Sequence, residues 1–152
     1  MKLLQLKTIV PLLVVGSLLG WILVTSLPPR NSTPTTITKN GITVGIEKTR
    51  YTKVENITFW VENNRNNKIF LRSPCPWHIE HKKDDKWEVS YYPGCAALTV
   101  VVYLPPGGTK TWTWDQHRYP GRIDPGDYRV VLYVARERFY LPFEIVWSES
   151  SY

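Results

Sequence analysis

The chain has 152 residues, 13% of them aromatic, and carries 19 lysines and arginines against 13 acidic residues. This length accommodates one ordinary domain plus a short appendage. Three of the bases, Lys2, Lys7 and Arg30, flank an apolar N-terminus, and the remaining 16 bases nearly balance the 13 acids. That balance argues against a nucleic-acid partner. The aromatic residues and twelve prolines favour a sheet protein over a helical one.

The N-terminus carries a membrane signal. Two lysines precede an uncharged run from Thr8 to Pro29, which is long enough to cross the hydrocarbon core of a bilayer. Lysines at this position favour a cytoplasmic N-terminus. We therefore expect residues 1–27 to form a signal peptide or membrane-anchor helix, with the rest of the chain on the extracytoplasmic side of the cell membrane. The length of the run favours an anchor, whereas cleavage near Val24-Thr25-Ser26 would release a secreted protein.

A polar segment follows the apolar run. Residues 28–41 are rich in proline, threonine, serine and asparagine, and this composition predicts an extended linker. Asn31 and Asn56 each begin an Asn-x-Ser/Thr pattern, so both are formal acceptors for N-glycosylation in an organism that glycosylates.

Strand patterns separated by turn signals fill residues 42–148. The predicted strands are Ile42–Arg50, Glu55–Glu62, Lys68–Arg72, Trp77–His81, Lys86–Tyr92, Ala97–Leu104, Thr109–Asp115, Asp127–Ala135 and Phe139–Trp147. Alternation points one set of side chains inward. Its members are Ile57, Phe59, Val61, Leu98, Val100, Val102, Val130, Leu132, Val134, Phe139, Leu141, Phe143, Ile145 and Trp147. Two further alternating sets are Trp87, Val89, Tyr91 and Trp112, Trp114.

These short strands predict an all-β domain over residues 42–148, an immunoglobulin-like antiparallel β-sandwich preceded by the N-terminal hydrophobic helix. An open barrel is the alternative. Tyr128 follows the turn Asp124-Pro125-Gly126-Asp127 at the start of a late strand, which is typical of a tyrosine corner. The alternative is an ordinary turn followed by a core tyrosine.

Four segments follow one another in a familiar order: ITFWVENNRNNKIFL, KWEVSYYPG, LPPGGTKTWTWDQ and DPGDYRVVLYV. This order resembles the intracellular proteinase inhibitor (BsuPI-like) family and related prokaryotic immunoglobulin-like modules, over roughly residues 50–135. The resemblance implies an immunoglobulin-like fold. An intracellular inhibitor role does not carry over to a chain with an export segment, and no reactive loop can be matched residue by residue.

Cys75 and Cys95 form an even pair in a chain expected to be exported, which predicts a disulfide. Two alternatives stay open: free thiols, or a zinc site completed by His78 and His81. If residues 77–81 form a strand, the two histidines point to opposite faces, which argues against a shared metal.

No nucleophile lies beside a general base, and no close carboxylate pair or Gly-rich phosphate loop is present in the sequence. We therefore expect no enzymatic activity, no cofactor and no metal. The predicted function is a membrane-tethered binding or adhesion module, or part of an envelope assembly, whose partner is an unknown protein or surface. The alternatives are an extracellular proteinase inhibitor, or a metal-binding or redox protein using Cys75, Cys95 and the histidines.

The C-terminal hairpin supplies a candidate partner surface. Its predicted register pairs Val134 with Leu141, Leu132 with Phe143 and Val130 with Ile145, and leaves residues 136–139 as the turn. Arg129, Tyr133 and Tyr140 then lie on the outer face, and these residue types are enriched where partners dock. The alternative is that they merely occupy a solvated sheet surface.

Overall fold

A computed structural model describes residues 33–97, 100–118 and 123–147. Within these residues lie eleven strands and two single-turn 3-10 segments, Gly94–Ala97 and Gln116–Arg118. The strands are β1 (Thr35–Lys39), β2 (Ile42–Ile46), β3 (Arg50–Thr52), β4 (Ile57–Asn63), β5 (Ile69–Leu71), β6 (Trp77–Lys83), β7 (Lys86–Tyr91), β8 (Val102–Leu104), β9 (Thr109–Trp114), β10 (Gly126–Val134) and β11 (Glu137–Val146).

The strands form two large sheets and one small one. The first sheet has the order β1-β2-β4-β9, the second β3-β11-β10-β6-β7, and β5 pairs with β8 separately. Neighbouring strands run antiparallel except β3, which lies parallel to β11. The large sheets share one apolar core. Across it, the Phe59 ring of β4 meets the Trp77 ring of β6 edge to face at a centroid distance of 4.9 Å. The predicted all-β sandwich is therefore confirmed, except that its strands are not all antiparallel, because β3 and β11 run parallel.

The predicted N-terminal helix, the signal or anchor over residues 1–27, lies outside the described residues. Among the residues that the structure describes, no helix is long and apolar enough to cross a membrane. Asn31 also lies outside the described residues, whereas Asn56 is exposed immediately before β4.

Alternation places most of the predicted inward residues in the core. Buried as expected are Ile57, Phe59, Val61, Val130, Leu132, Val134, Phe139, Leu141, Phe143 and Ile145, and the pair Trp112 and Trp114, predicted only to share a face, is buried as well. Two inward assignments are wrong, because Val100 is 59% and Trp147 is 66% exposed. Both lie outside a strand, one before β8 and the other after β11, where a period of two no longer applies. Val102 is half-buried, and Leu98 lies outside the described residues.

A register shift in β7 divides a set that alternation had grouped. Glu80 of β6 pairs with Val89, but the preceding Ile79 pairs with Tyr91, so one residue of β7 is skipped. Residues directly opposite share a face, and the shift therefore turns Tyr91 inward while Val89 and Trp87 face outward.

The linker prediction for residues 28–41 is wrong over its second half. Residues 35–39 form β1, which pairs with β2 through the two-residue turn Asn40-Gly41. Both turn residues have positive φ, 51° and 70°, as a tight hairpin requires. Asn-Gly between β-branched residues is a hairpin signal, and it outweighs the polar composition.

The predicted register of the C-terminal hairpin is also wrong. The turn consists of Ala135 and Arg136, with φ of 47° and 69°, and Val134 pairs with Glu137 directly. Leu132 therefore lies opposite Phe139, four residues from the predicted partner. A shift by an even number of residues leaves every side chain on its face, so alternation cannot distinguish the two registers.

The disulfide between Cys75 and Cys95 is confirmed, with their Cα atoms 5.6 Å apart. The bond removes the thiolates that a zinc site would need, and the described residues contain no group of three or more potential metal ligands. The free-thiol and zinc alternatives are therefore wrong for this structure. Closing such a loop stabilises the fold by about 3 kcal/mol on the chain-entropy model.

The tyrosine at the start of β10 makes the hydrogen bond expected of a corner. The Tyr128 hydroxyl donates to the Asp124 carbonyl at 2.6 Å, and the ring is buried. Burial raises the pKa of Tyr128 to about 12. Gly126 adopts φ of 151°, and a Cβ there would lie 2.9 Å from His81 Nε2, so this turn favours glycine.

Two buried polar side chains donate hydrogen bonds to the backbone of neighbouring loops. Asn63 is fully buried, and its Nδ2 donates to the carbonyls of Asn67, Leu104 and Pro105 at 2.9–3.0 Å. Gln116, from the W-x-W-x-Q segment, is also buried, and its Nε2 donates to the carbonyl of Glu55 at 2.6 Å. The segments that carry the family resemblance therefore have structural roles.

Candidate partner-binding face

The outer face of the five-stranded sheet consists of the side chains of β6, β7, β10 and β11 that point away from the core. Strand pairing places all three predicted surface residues on it. Arg129 and Tyr133 project from β10, and Tyr140 projects from β11 opposite Val131. The four-residue error in the predicted register does not affect this, because it preserves the face of each residue.

Arg129 is the centre of a network on this face. Its Nε donates to Glu80 Oε2 at 2.6 Å. Its guanidinium carbon lies 4.2 Å from the ring centroid of Trp87 and 4.3 Å from that of Tyr140. A guanidinium at these distances is attracted to both ring faces. Arg129 therefore fixes one aromatic side chain from the neighbouring strand β11 and one from β7, two strands away, and its own charge is balanced inside the molecule.

Glu80 joins this network to His78. One carboxylate oxygen accepts from Arg129, and the other accepts from His78 Nε2 at 3.0 Å. Burial alone would raise the pKa of the Glu80 carboxyl, but the hydrogen bonds from His78 and Arg129 outweigh it and lower that pKa. Glu80 therefore remains ionised at neutral pH.

A second group of rings lies toward the β10–β11 turn. The His78 ring lies 5.0 Å from the Tyr92 ring and stacks on Tyr133 at 5.7 Å. The guanidinium of Arg138 lies 5.0 Å from the centroid of Tyr133. Val131 points outward between these groups yet is only 1% exposed. The outer face is thus packed in its own right.

The edges of the face are open to solvent. Tyr92 is 62%, Val89 47% and Tyr140 38% exposed. Beside Tyr133 a shallow hollow of about 250 Å³ is bordered by Tyr92 and by Cys75 of the disulfide. The disulfide therefore helps to shape the surface next to the outer face.

Sequence reasoning placed Arg129, Tyr133 and Tyr140 on one face but missed Glu80, His78 and Trp87. In the sequence, His78 was weighed only as a metal ligand. A signal was present, since His78 and Glu80 are two residues apart in a strand and therefore share a face. The contact of Glu80 with Arg129 depends on pairing between β6 and β10, which the sequence does not reveal.

A family model for the bacterial Ig-like domain matches residues 38–144. The chain belongs to this family. The match covers most of the sandwich, including β10 and all but the last two residues of β11, and it does not bear on the finer likeness to proteinase inhibitors. The inhibitor role remains a prediction.

No curated protein sequence matches the chain. Among solved structures, the Ig-like domain is similar to an alkylpurine DNA glycosylase, AlkC, from Pseudomonas fluorescens, bound to DNA containing an abasic-site analogue. The identity is 15%, the TM-score is 0.43, and the match covers 72% of this chain and 31% of that one. It is also similar to a β-glucosidase from Listeria innocua in complex with gluconolactone, at 13% identity and a TM-score of 0.36, covering 74% and 15% of the two chains. The chain therefore spans about a third or less of these proteins, and likenesses this weak carry no argument.

Proposed function

We propose that this protein is a membrane-tethered, non-catalytic binding module on the extracytoplasmic side of the membrane, and that its outer face binds a protein partner in the cell envelope. The bacterial Ig-like domain supports a surface or binding role. The disulfide supports an oxidising compartment. The apolar run at the N-terminus supports a membrane tether.

The observation that carries the proposal is the position of Arg129 between Trp87 and Tyr140 while it is paired with Glu80. Free aromatic side chains lose rotamer freedom on binding, and that loss weakens affinity. Rings already held in place avoid much of this cost. Tyrosine, tryptophan and arginine are also the residues that most often dominate binding energy at interfaces.

Partner capture tests the proposed face. Three full-length proteins with a C-terminal tag are compared: the wild type, the double variant Tyr133→Ser/Tyr140→Ser, and Tyr103→Ser. Each is cross-linked in native membranes and recovered through its tag. Tyr103 is an exposed tyrosine of β8, outside the five-stranded sheet, and serves as the matched control. We expect the double variant to lose its cross-linked protein about tenfold or more, since two interface tyrosines are removed. The control should retain it.

Both variants should keep the thermal midpoint of the wild type. Capture unchanged in the double variant would reject this face as the partner surface. Unfolding of the double variant would show instead that these rings belong to the stabilising core.

The tether is tested separately. The C-terminal tag should be cleaved by protease added to intact cells, or to spheroplasts where an outer membrane is present, and the protein should sediment with membranes. These results follow if lysines at the N-terminus stay in the cytoplasm and the apolar run remains uncleaved. Full-length protein that is soluble in the cytoplasm would contradict the topology.

A further inference from the structure

A cleft at the β10–β11 turn gathers three arginines. Its volume is about 320 Å³, and its lining residues are Arg72, Tyr133, Ala135, Arg136, Glu137 and Arg138. All three arginines are exposed, so the cleft opens to solvent.

Backbone hydrogen bonds bring the two sides of this cleft together. The Tyr133 amide donates to the Pro76 carbonyl at 2.8 Å, and the Ala135 amide donates to the Phe70 carbonyl at 3.4 Å. These bonds hold the segment from Phe70 to Pro76, which contains Arg72, beside the end of β10. The turn at Ala135 and Arg136 then presents the other arginines.

The positive charge in the cleft is not neutralised locally. Glu137 is the acidic residue that lines it, but its carboxylate accepts from Lys39 Nζ at 2.6 Å and from Asn40 Nδ2 at 2.8 Å. These hydrogen bonds hold the pKa of Glu137 below its usual value. Among the described residues, no carboxylate forms an ion pair with Arg72, Arg136 or Arg138.

Arg138 is the most constrained of the three. Its guanidinium carbon lies 5.0 Å from the centroid of the Tyr133 ring, and its Nη1 lies 3.4 Å from the Tyr140 hydroxyl. A guanidinium held on a ring face keeps its outward N–H groups available for a ligand.

We propose that this cleft binds a phosphate group. Guanidinium groups bind planar pairs of oxygens with two parallel hydrogen bonds, and a phosphate offers more acceptor oxygens and more charge than one carboxylate. Three arginines therefore match a phosphate better than a carboxylate. The inference goes beyond the proposed function, because a phosphate can bind here whether or not a protein occupies the outer face.

Titration of the full-length protein in non-ionic detergent, at low ionic strength, tests the proposal. The probes are sodium pyrophosphate, for a free phosphate, and soluble short-chain phosphatidylglycerol, for a lipid headgroup, with short-chain phosphatidylcholine as the zwitterionic comparison. The variants are Arg72→Gln/Arg136→Gln and the control Arg118→Gln. Arg118 is also exposed but does not line the cleft.

We expect the wild type to bind pyrophosphate or phosphatidylglycerol with an affinity that falls as salt is added. The double variant should bind about tenfold more weakly for each arginine removed, because each loses a charge-assisted hydrogen bond. Arg118→Gln should bind as the wild type does. Binding of pyrophosphate indicates a free phosphate ligand, and binding of phosphatidylglycerol alone indicates a lipid headgroup.

The variant Arg72→Lys/Arg136→Lys keeps the charge but loses the paired donors, and its affinity should fall between those of the wild type and the glutamine variant. It also preserves the test if the glutamine variant fails to fold. The proposal is overturned if the wild type binds neither probe, or if Arg118→Gln weakens binding as much as the double variant does.

Discussion

The two faces of β6 each hold a histidine beside a tyrosine, but the two histidines are held differently. On the inner side, His81 stacks on Tyr128 with ring centroids 4.2 Å apart and planes only 2° from parallel. On the outer side, His78 lies 5.7 Å from Tyr133 and is hydrogen-bonded to Glu80. The inner ring is fixed by packing, and the outer ring is fixed by a polar network that also holds Arg129.

On the proposed function, side chains on the inner face of this sheet serve stability and those on its outer face serve recognition. Inner side chains fill the space between the two sheets, so changing them alters the free energy of unfolding. Outer side chains arrange rings and charges over a surface, so changing them should mainly alter binding. Three predictions test that division.

The largest difference is expected between adjacent residues of β10. Leu132 is fully buried in the core, whereas Tyr133 lies on the outer face. Leu132→Ala should lower the free energy of unfolding by about 2–5 kcal/mol, because it leaves a cavity. Tyr133→Ser should lower it by less than about 1 kcal/mol. Urea denaturation of both variants measures the difference, and equal losses would make the outer rings part of the core.

A smaller difference is expected between two tyrosine hydroxyl groups. Tyr128→Phe removes the 2.6 Å hydrogen bond to the Asp124 carbonyl and should cost about 1 kcal/mol in the free energy of unfolding. Tyr140→Phe removes a long contact on the exposed face and should cost less than about 0.5 kcal/mol. Matched denaturation curves provide the comparison. A larger loss of unfolding free energy in Tyr140→Phe than in Tyr128→Phe would contradict this prediction, because the outer hydroxyl would then contribute more to stability.

The smallest expected effects are changes in the free energy of unfolding with pH, which should occur in different pH ranges for the inner and the outer face. Burial lowers the pKa of His81 from 6.5, with a smaller contribution from Lys83, so the unfolded chain takes up this proton first as pH falls. Stability linked to His81 should therefore be lost as pH decreases below 6.5. The pKa of Glu80 is lowered from 4.5, so its contribution is complete above pH 4.5 and is lost below it.

Unfolding free energies measured at closely spaced pH values between about pH 3 and pH 8 test this order. His81→Asn should reduce the dependence of the unfolding free energy on pH just below pH 6.5, and Glu80→Gln should reduce it below pH 4.5. A wild-type slope below pH 6.5 that survives in His81→Asn would assign that slope to another group.

Much of the fold could be predicted because alternation, turn residues and the two cysteines are local signals. The missed features depend on pairing between strands. The hairpin register was wrong because Ala135 and Arg136 adopt positive φ without the glycine or asparagine that usually indicates such a turn. The Tyr91 side chain points inward because of the register shift opposite Ile79 and Glu80, and the amino-acid sequence contains no signal for that shift.

The candidate site could be predicted only as a face. Alternation placed Arg129, Tyr133 and Tyr140 on one face of the sheet, because the face of a residue depends only on whether its position in the strand is odd or even. The partners of Arg129 come from β6, β7 and β11, and recognising them requires the order of strands in the sheet. The arginine cleft likewise depends on Arg72 of a distant segment lying beside the β10–β11 turn.

The first strand, β1, has a consequence for how the domain behaves at high concentration. None of its side chains belongs to the core, yet its backbone pairs along the whole of β2. Without β1, the edge of β2, with Ile42, Val44 and Ile46, would offer free amide and carbonyl groups to a strand of another molecule. With β1 present, the sheet ends instead in a short strand of three threonines, one isoleucine and one lysine, TTITK. The segment that continues toward the predicted tether thus protects the domain against edge-to-edge aggregation, and a chain shortened to begin at Ile42 should lose that protection.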